Sequence, residues 1–260
     1  MFKSSLLSKD EIVKKSLSDM EEHLNVREWD IRQKLALTCR ILFMMGHDSG
    51  LAGQITARGA EPGTWYTQQL GLGFNEIKAS NLLLVNDDLE VIEGDGMPNP
   101  ANRFHSWLYN KRKDINCIIH THPFNSSTLS MLGVPLIISH MDVCPLYDDC
   151  AFLEKWPGIP VGNEEGKIIS ETLGSKKTIL LAHHGQLSTG ENIEEACNLA
   201  ILFERAAKMQ LKAMSAGIIK ELDECLASEA RKWIARPVRH KAAFAYYCRR
   251  FMEEHADCIN

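Results

Sequence analysis

Hydrophobic positions in the first third of the chain follow first a helical and then a strand-like period. Apolar residues three and four apart predict an amphipathic, solvent-facing helix at about 10–24 and a second helix at about 29–45, which ends at Gly46. A glycine-rich turn then leads to a strand predicted at 54–58, and short strands and turns are expected over 64–91. This part of the chain therefore passes from helices into a sheet.

The middle of the chain combines a buried strand with flanking helices. A helix is predicted at about 101–113, and the run DINCIIHTH at 114–122 has the apolar, β-branched composition of a short buried strand. Pro123 favours the first turn of the next helix, which is expected to end at Gly133. Residues 136–150 mix polar and apolar positions without a period and are predicted to be irregular.

The last third repeats the combination of a strand with long helices. A helix is predicted to end at Gly174, and KKTILLAHHG at 176–185 indicates a second buried strand that finishes in histidines. After a turn, a long helix is expected at about 193–216, followed by two more helices that Pro237 separates.

The first buried strand carries the main candidate chemistry at its end. Side chains in a strand alternate between faces, so His120 and His122 are expected to point the same way. Two imidazoles at this spacing can reach one metal ion with metal–nitrogen bonds of about 2.0–2.1 Å. The alternative is that both rings are merely buried and hydrogen-bonded.

A third ligand is needed for a catalytic metal site, in which three protein groups leave one position open for water or substrate. His183 or His184 could supply it. On a strand these neighbours would face opposite sides of the sheet, so only one of them could reach the same ion.

Composition limits the functional classes. The 260 residues include 45% hydrophobic and 24% charged residues and contain no Pro/Gly/Ser-rich linker, which predicts one globular domain spanning 1–260. A formal charge of −5 argues against nucleic-acid and anionic-membrane partners, and a small-molecule substrate is expected instead. Without a membrane-length apolar run or a secretory signal in MFKSSLLSKD, we expect a cytoplasmic protein. The eight cysteines show no C-x-x-C pair, so we expect small buried hydrophobes rather than zinc-ribbon ligands or disulfides.

The order RFH, IIHTHP and LLAHHG, followed by a turn and a long helix opening with IEEA, resembles the class II aldolase and adducin family, which includes fuculose-phosphate aldolase and ribulose-phosphate 4-epimerase. The resemblance covers residues 30–215, leaving 216–260 as carboxy-terminal helices. It implies a three-layer α/β/α fold with a central, mainly antiparallel sheet, assembled as a homotetramer with sites at subunit contacts. It also implies that His120, His122 and His184 bind one divalent metal ion. Zn²⁺ is expected first, although Mn²⁺ and Fe²⁺ also accept imidazole.

This chain departs from the sugar-phosphate aldolases where they hold phosphate. Their segment before RFH resembles PSSEW, in which the serines help to bind phosphate and the glutamate is the base beside the metal. Here Asn99 and Pro100 replace the serines, and Ala101, which cannot take a proton, replaces the glutamate. The Gly-Asn pair that also helps to hold phosphate is Gly53-Gln54 here. We therefore expect Gly53, Gln54 and Asn99 to contact a different substrate.

A catalytic acid is expected in the irregular segment at 136–150. The resemblance implies that the tyrosine that acts as the catalytic acid in the aldolases corresponds to a position near Ser139 or His140. His140 is therefore the candidate for the catalytic acid. Asp142 and Tyr147, in the same segment, complete the predicted catalytic set. The alternative is that this polar cluster is an ordinary solvated loop.

Two functions of different class follow from the sequence. The first is a metal-dependent carbon–carbon lyase of the aldolase or decarboxylase type, acting on a small hydroxy acid, keto acid or other carbonyl compound. The second is a non-catalytic interaction module like the adducin head. Adducin-type heads lack the metal histidines that this chain retains, which favours the enzyme. Aromatic residues of the carboxy-terminal helices, such as Trp233, Phe244, Tyr246 and Tyr247, are expected in subunit contacts, with packing inside the subunit as the alternative.

Overall fold

The computed structural model describes residues 7–24 and 26–260, apart from the side chain of Glu254. Residues 1–6, which belong to the amino-terminal segment considered above, lie outside this range. The described chain forms the following helices: α1 (Lys9–His23), α2 (Ile31–Met44), α3 (Arg103–Lys111), α4 (Phe124–Ser130), α5 (Asn163–Leu173), α6 (Ile193–Met214), α7 (Glu224–Ile234) and α8 (Pro237–His255). None of them is long and apolar enough to cross a membrane.

The strands form one sheet of mixed but mostly antiparallel pairing. They are β1 (Gln54–Arg58), β2 (Thr64–Thr67), β3 (Leu83–Asn86), β4 (Val91–Glu93), β5 (Cys117–Thr121), β6 (Cys150–Leu153), β7 (Thr178–Leu181) and β8 (Gly185–Gly190). Their order across the sheet is β4-β3-β2-β1-β5-β8-β7-β6, and only β6 and β7 run parallel. The expected central, mainly antiparallel sheet is confirmed.

Helices cover both faces of this sheet because the buried strands alternate their side chains between two cores. On one face, Cys117 and Ile119 of β5 pack in a core with α2, α6 and α8. On the other face, Ile118 of β5 packs in a core with α3 and α5. The result is the expected α/β/α layering, with β5 at the centre of the sheet.

Local sequence accounts for where several helices begin. Asp30 caps α2 by accepting a hydrogen bond from the backbone of Gln33, whose side chain in turn accepts one from the backbone of Asp30. Asn192 caps α6 in a similar way through the backbone of Glu195. These caps hold two of the helices on the face of β5 opposite to α3.

Two short strands and one strand end differ from the sequence prediction. β6 was not predicted, and β8 lies where only a turn was expected after the second histidine pair. The preceding strand ends at Leu181, so His183 and His184 occupy the tight turn between β7 and β8. The argument that they face opposite sides of a strand is therefore wrong.

The carboxy-terminal aromatic residues divide between core and surface. Phe244 is buried in the core beneath α8, and Tyr247 packs against that core. Tyr246 stays exposed, and Trp233 lines a groove between α1 and α7. Phe244 and Tyr247 thus follow the alternative of packing within the subunit.

Candidate metal centre

Three histidines from two parts of the chain meet at one edge of the sheet. His120 is the fourth residue of β5, His122 follows the end of β5, and His184 lies in the turn between β7 and β8. The Nε2 atom of His120 is 2.9 Å from that of His122 and 3.3 Å from that of His184. Among the described residues, this is the group of histidines, cysteines or carboxylates whose geometry suits a metal ion.

The spacing of these nitrogens fits a shared cation. Two nitrogens bound about 2.05 Å from one ion at the tetrahedral angle lie about 3.3 Å apart. Neutral imidazole nitrogens that both present lone pairs repel each other at such distances, and a cation between them removes that repulsion. The donor set therefore suits a divalent ion that accepts imidazole.

A backbone contact orients His120 for this role. Its Nδ1–H donates to the carbonyl oxygen of Gln186 over 2.8 Å. Because that carbonyl can only accept, the proton belongs on Nδ1 and the Nε2 lone pair is free. The ring of Phe104 meets the His120 ring edge-on, with centroids 5.4 Å apart, and limits its rotation.

Burial keeps the three rings neutral. Desolvation lowers the pKa of His120 well below its ordinary value, and the charges of His184 and His122 lower it further. Desolvation also lowers the pKa of His122, and it lowers that of His184 to about 4, with a smaller contribution from the charge of His122. Neutral imidazole is the form that binds metal.

Close approach of two backbones requires glycine at position 185. A Cβ atom on Gly185 would lie 2.7 Å from both the carbonyl oxygen of Thr121 and Cδ2 of His122. The glycine of the HHG motif therefore lets the start of β8 pass directly against the residue that carries the second imidazole.

His183 is exposed and is not part of the cluster. Its backbone adopts a φ of +56°, and its side chain is exposed whereas that of His184 is half-buried. The choice of His184 over His183 thus agrees with the resemblance, although the strand argument did not provide it.

The predicted substrate residues Gly53 and Gln54 adjoin the cluster. Gln54 pairs with His120 across the sheet and therefore projects from the same face. Its Oε1 atom is buried and has no hydrogen-bond partner among the described residues. The side chain of Gln68 fixes this segment, because its amide donates to the carbonyl of Gly53 and accepts from the backbone of Ile55. Gln68 was not identified from sequence.

Asn99 serves a local structural purpose. Its side-chain oxygen accepts a hydrogen bond of 3.0 Å from the backbone of Ala101 and caps the short 3-10 helix Pro100–Asn102. Asn102 then donates to Thr67 of β2 over 3.0 Å. The segment in which the resemblance implies phosphate ligands is thus held to the sheet by the contact of Asn102 with Thr67.

The predicted catalytic residues His140, Asp142 and Tyr147 lie around a 3-10 helix at Met141–Leu146. Asp142 forms an ion pair of 3.0 Å with Arg205 of α6, and the half-exposed ring of His140 accepts a hydrogen bond from the backbone of Asp142. Desolvation raises the pKa of Tyr147, and the nearby carboxylate of Glu224, at the start of α7, raises it further. In the described part of the chain, none of these contacts includes the histidine cluster.

Comparison with known proteins shows which family the chain resembles over most of its length. A family model described as the Class II Aldolase and Adducin N-terminal domain matches residues 33–211. The chain is 28% identical to decarboxylase NovR of Streptomyces niveus, over 81% of this chain and 82% of that protein. It is also 28% identical to L-fuculose phosphate aldolase of Haemophilus influenzae, over 73% of this chain and 86% of that enzyme.

A solved structure extends the likeness to the whole fold. L-fuculose 1-phosphate aldolase from Glaciozyma antarctica PI12 superposes with a TM-score of 0.83 at 25% sequence identity. The superposition covers 94% of this chain and 99% of that one, so it includes the carboxy-terminal region beyond the family match.

Proposed function

The chain belongs to the class II aldolase and adducin family, and we propose that it is a divalent-metal-dependent carbon–carbon lyase acting on a small hydroxy acid or keto acid. Relatives named as aldolases and as a decarboxylase support a lyase-type reaction in general. The observation that carries the finer proposal is the convergence of three imidazole nitrogens next to Gln54, which pairs with His120 and whose side-chain oxygen has no hydrogen-bond partner among the described residues.

The three histidines would supply the metal ligands. Catalytic zinc sites use three protein ligands, whereas structural sites use four. A divalent ion held there would polarise a substrate oxygen and stabilise negative charge that develops on it. Zn²⁺ is the first candidate for a site of three imidazoles, with Mn²⁺ or Fe²⁺ as alternatives.

The neighbouring residues favour an acid substrate over a sugar phosphate. Pro100 has neither a hydroxyl nor an N–H to donate, so Asn99 offers one amide where the resemblance implies two serine hydroxyls. Gln54 offers a side-chain oxygen with no hydrogen-bond partner among the described residues, which suits a substrate hydroxyl. We therefore assign Gly53 and Gln54 to a hydroxyl-bearing part of the substrate.

Decarboxylation fits the absence of a carboxylate base at Ala101. When the bond from a substrate carbon to its carboxylate breaks, CO₂ leaves and the electron pair stays on carbon, so no base is needed to begin. The carbanion then takes a proton, for which an acid is required. We assign His140 as the acid that donates this proton.

A homo-oligomer would explain how His140 reaches a site. The contacts described for the His140 side chain within its own subunit are to Asp142, and about half of that side chain is exposed. We therefore place His140 of one protomer at the histidine cluster of another, most simply in a homotetramer. Light scattering at micromolar protein should show an assembly, whereas a monomer would refute this part of the proposal.

A substrate screen tests the function. Metal-loaded protein should release CO₂ from a hydroxy acid or keto acid, and fuculose 1-phosphate and ribulose 5-phosphate should be turned over at least tenfold below the usual enzyme efficiency of about 10⁴ M⁻¹s⁻¹. Turnover of either phosphosugar within that tenfold range would contradict the proposal.

The His140→Ala variant tests the assignment of the acid. It should lose about 10²–10⁴-fold in rate while it keeps its metal, because removal of a positioned proton donor has an effect of that size. Lys208→Ala, an exposed change on α6, is the control and should keep full activity. Full activity of His140→Ala would show that His140 is not the catalytic acid.

A further inference from the structure

A cavity lies between the carboxy-terminal ends of α2 and α8. It has a volume of about 370 Å³ and is lined by Arg40, Phe43, Met44, Asn75, Arg250, Phe251 and His255. The apolar part of this lining is two phenylalanines and a methionine, and the polar part is rich in hydrogen-bond donors. Among the described side chains, which exclude that of Glu254, no carboxylate lines it.

Arg40 is the buried charge of this cavity. Its side chain is nine-tenths buried, and its Nε–H donates to the carbonyl oxygen of Ile77 over 2.8 Å. Among the described residues, Asp257 is the carboxylate that forms an ion pair with Arg40. Its oxygen lies 3.8 Å from Nη2 of Arg40, which is beyond hydrogen-bond distance. A buried guanidinium is stable when its remaining donors find acceptors, so this geometry leaves donors for an added anion.

The surroundings strengthen this preference. Lys78 shares Asp257 with Arg40 through an ion pair of 3.2 Å, and exposed Arg250 adds another cation at the cavity. Around Arg40, the described side chains thus place three permanent cations against one carboxylate. The whole chain carries a formal charge of −5, so the local excess of positive charge here is opposite in sign to the overall charge.

Aromatic walls set the second requirement for a ligand. The ring of Phe251 stacks on that of His255 with centroids 4.9 Å apart, and Phe43 and Met44 form other parts of the wall. A bare inorganic ion would leave this apolar surface in contact with water. An anion attached to an apolar or planar group would cover the surface and meet the arginines at the same time.

We propose that this cavity is a binding site for a small organic anion, with a phosphate or carboxylate held between Arg40 and Arg250 and an apolar group against Phe43 and Phe251. The site is separate from the histidine cluster. α2 and α8 pack on the face of the sheet that receives Cys117 and Ile119, whereas His120 projects from the other face towards Phe104.

Calorimetric titration of the metal-loaded protein with phenyl phosphate tests the proposal. Inorganic phosphate and benzyl alcohol each carry half of the proposed ligand and should bind at least tenfold more weakly. Equal affinity for inorganic phosphate would overturn the organic-anion assignment, and no heat from phenyl phosphate at millimolar concentration would overturn the site itself.

Paired charge reversals locate the binding. Arg250→Glu should weaken phenyl phosphate by tenfold or more, because it replaces a charge-assisted hydrogen bond with repulsion. Arg249→Glu changes an exposed neighbour that does not line the cavity and should stay within twofold of the unaltered protein. Both positions are exposed, so folding should be unaffected. If Arg250→Glu binds like the unaltered protein, the ligand sits elsewhere and the proposal fails.

Discussion

Gly185→Ala is the substitution with the most specific consequence for the histidine cluster. The added Cβ would lie 2.7 Å from Thr121 O and His122 Cδ2, whereas ordinary contact begins at 3.4 Å. The backbone must therefore separate by about 0.7 Å, because a carbonyl oxygen cannot turn away as a flexible side chain can. Metal–ligand distances are held to within about 0.2 Å, so a movement of this size takes His122 out of position.

The expected losses differ in size between metal affinity and stability. Disturbing the group that positions a ligand typically reduces metal affinity about 10–100-fold, and here a ligand itself is displaced, so we expect the upper part of that range or more. Overpacking costs about 1–3 kcal/mol, which corresponds to a fall in Tm of about 2–12 °C for a chain of this size. The substitution should thus reduce metal affinity strongly while the protein remains folded.

Competition with a chromophoric chelator measures the metal affinity, and thermal unfolding of the metal-free protein measures stability separately. Gly217→Ala is the matched control, because a Cβ there meets nothing within 4 Å. Unchanged metal affinity in Gly185→Ala, with Gly217→Ala also unchanged, would refute the reasoning that β8 packs against His122 closely enough to require glycine.

Two further predictions concern the elements around the site. Glu204 of α6 accepts hydrogen bonds from the backbone and side chains of Asn125 and Ser126. Glu204→Ala should therefore lower the free energy of unfolding in urea by about 2–4 kcal/mol, whereas the exposed control Glu221→Ala should lower it by less than about 0.5 kcal/mol. Equal effects of the two substitutions would contradict this prediction. Burial lowers the pKa of His47 to about 3. Below about pH 6.5 the unfolded chain therefore binds a proton at His47 and the folded chain does not, so the free energy of unfolding should fall by up to about 1.4 kcal/mol per pH unit as the pH decreases. His47→Asn should flatten that decline between pH 6 and about 4, and an unchanged slope of unfolding free energy against pH would count against it.

Helices and the long buried strands could be predicted because their signals are local. α2 and α6 carry apolar residues at helical spacing over many turns and begin at capping residues, and β1 was placed at its observed bounds. β8 has the sequence GQLSTG, which lacks an apolar alternation and has glycine at both ends. It is a strand because β5 and β7 pair with it on both sides, and such pairing leaves no mark in its own sequence.

The residues of the site likewise fall into those that the sequence could predict and those that it could not. The alternation of side chains along a strand was enough to pair His120 with His122, whereas His184 came from the resemblance and not from strand geometry. The carbonyl of Gln186 that orients His120 had no sequence signal, because any residue supplies a carbonyl. The clamp by Gln68 depends on the meeting of β1 and the end of β2, which only tertiary structure specifies.

The metal content of two single variants tests the central claim most directly. After reloading with Zn²⁺ and removal of excess ion, elemental analysis should find about one equivalent in the unaltered protein and in His183→Ala. His184→Ala should hold less than about a tenth of an equivalent, because it removes one of three imidazole donors. A full equivalent in His184→Ala, or its loss in His183→Ala, would contradict a metal centre formed by His120, His122 and His184.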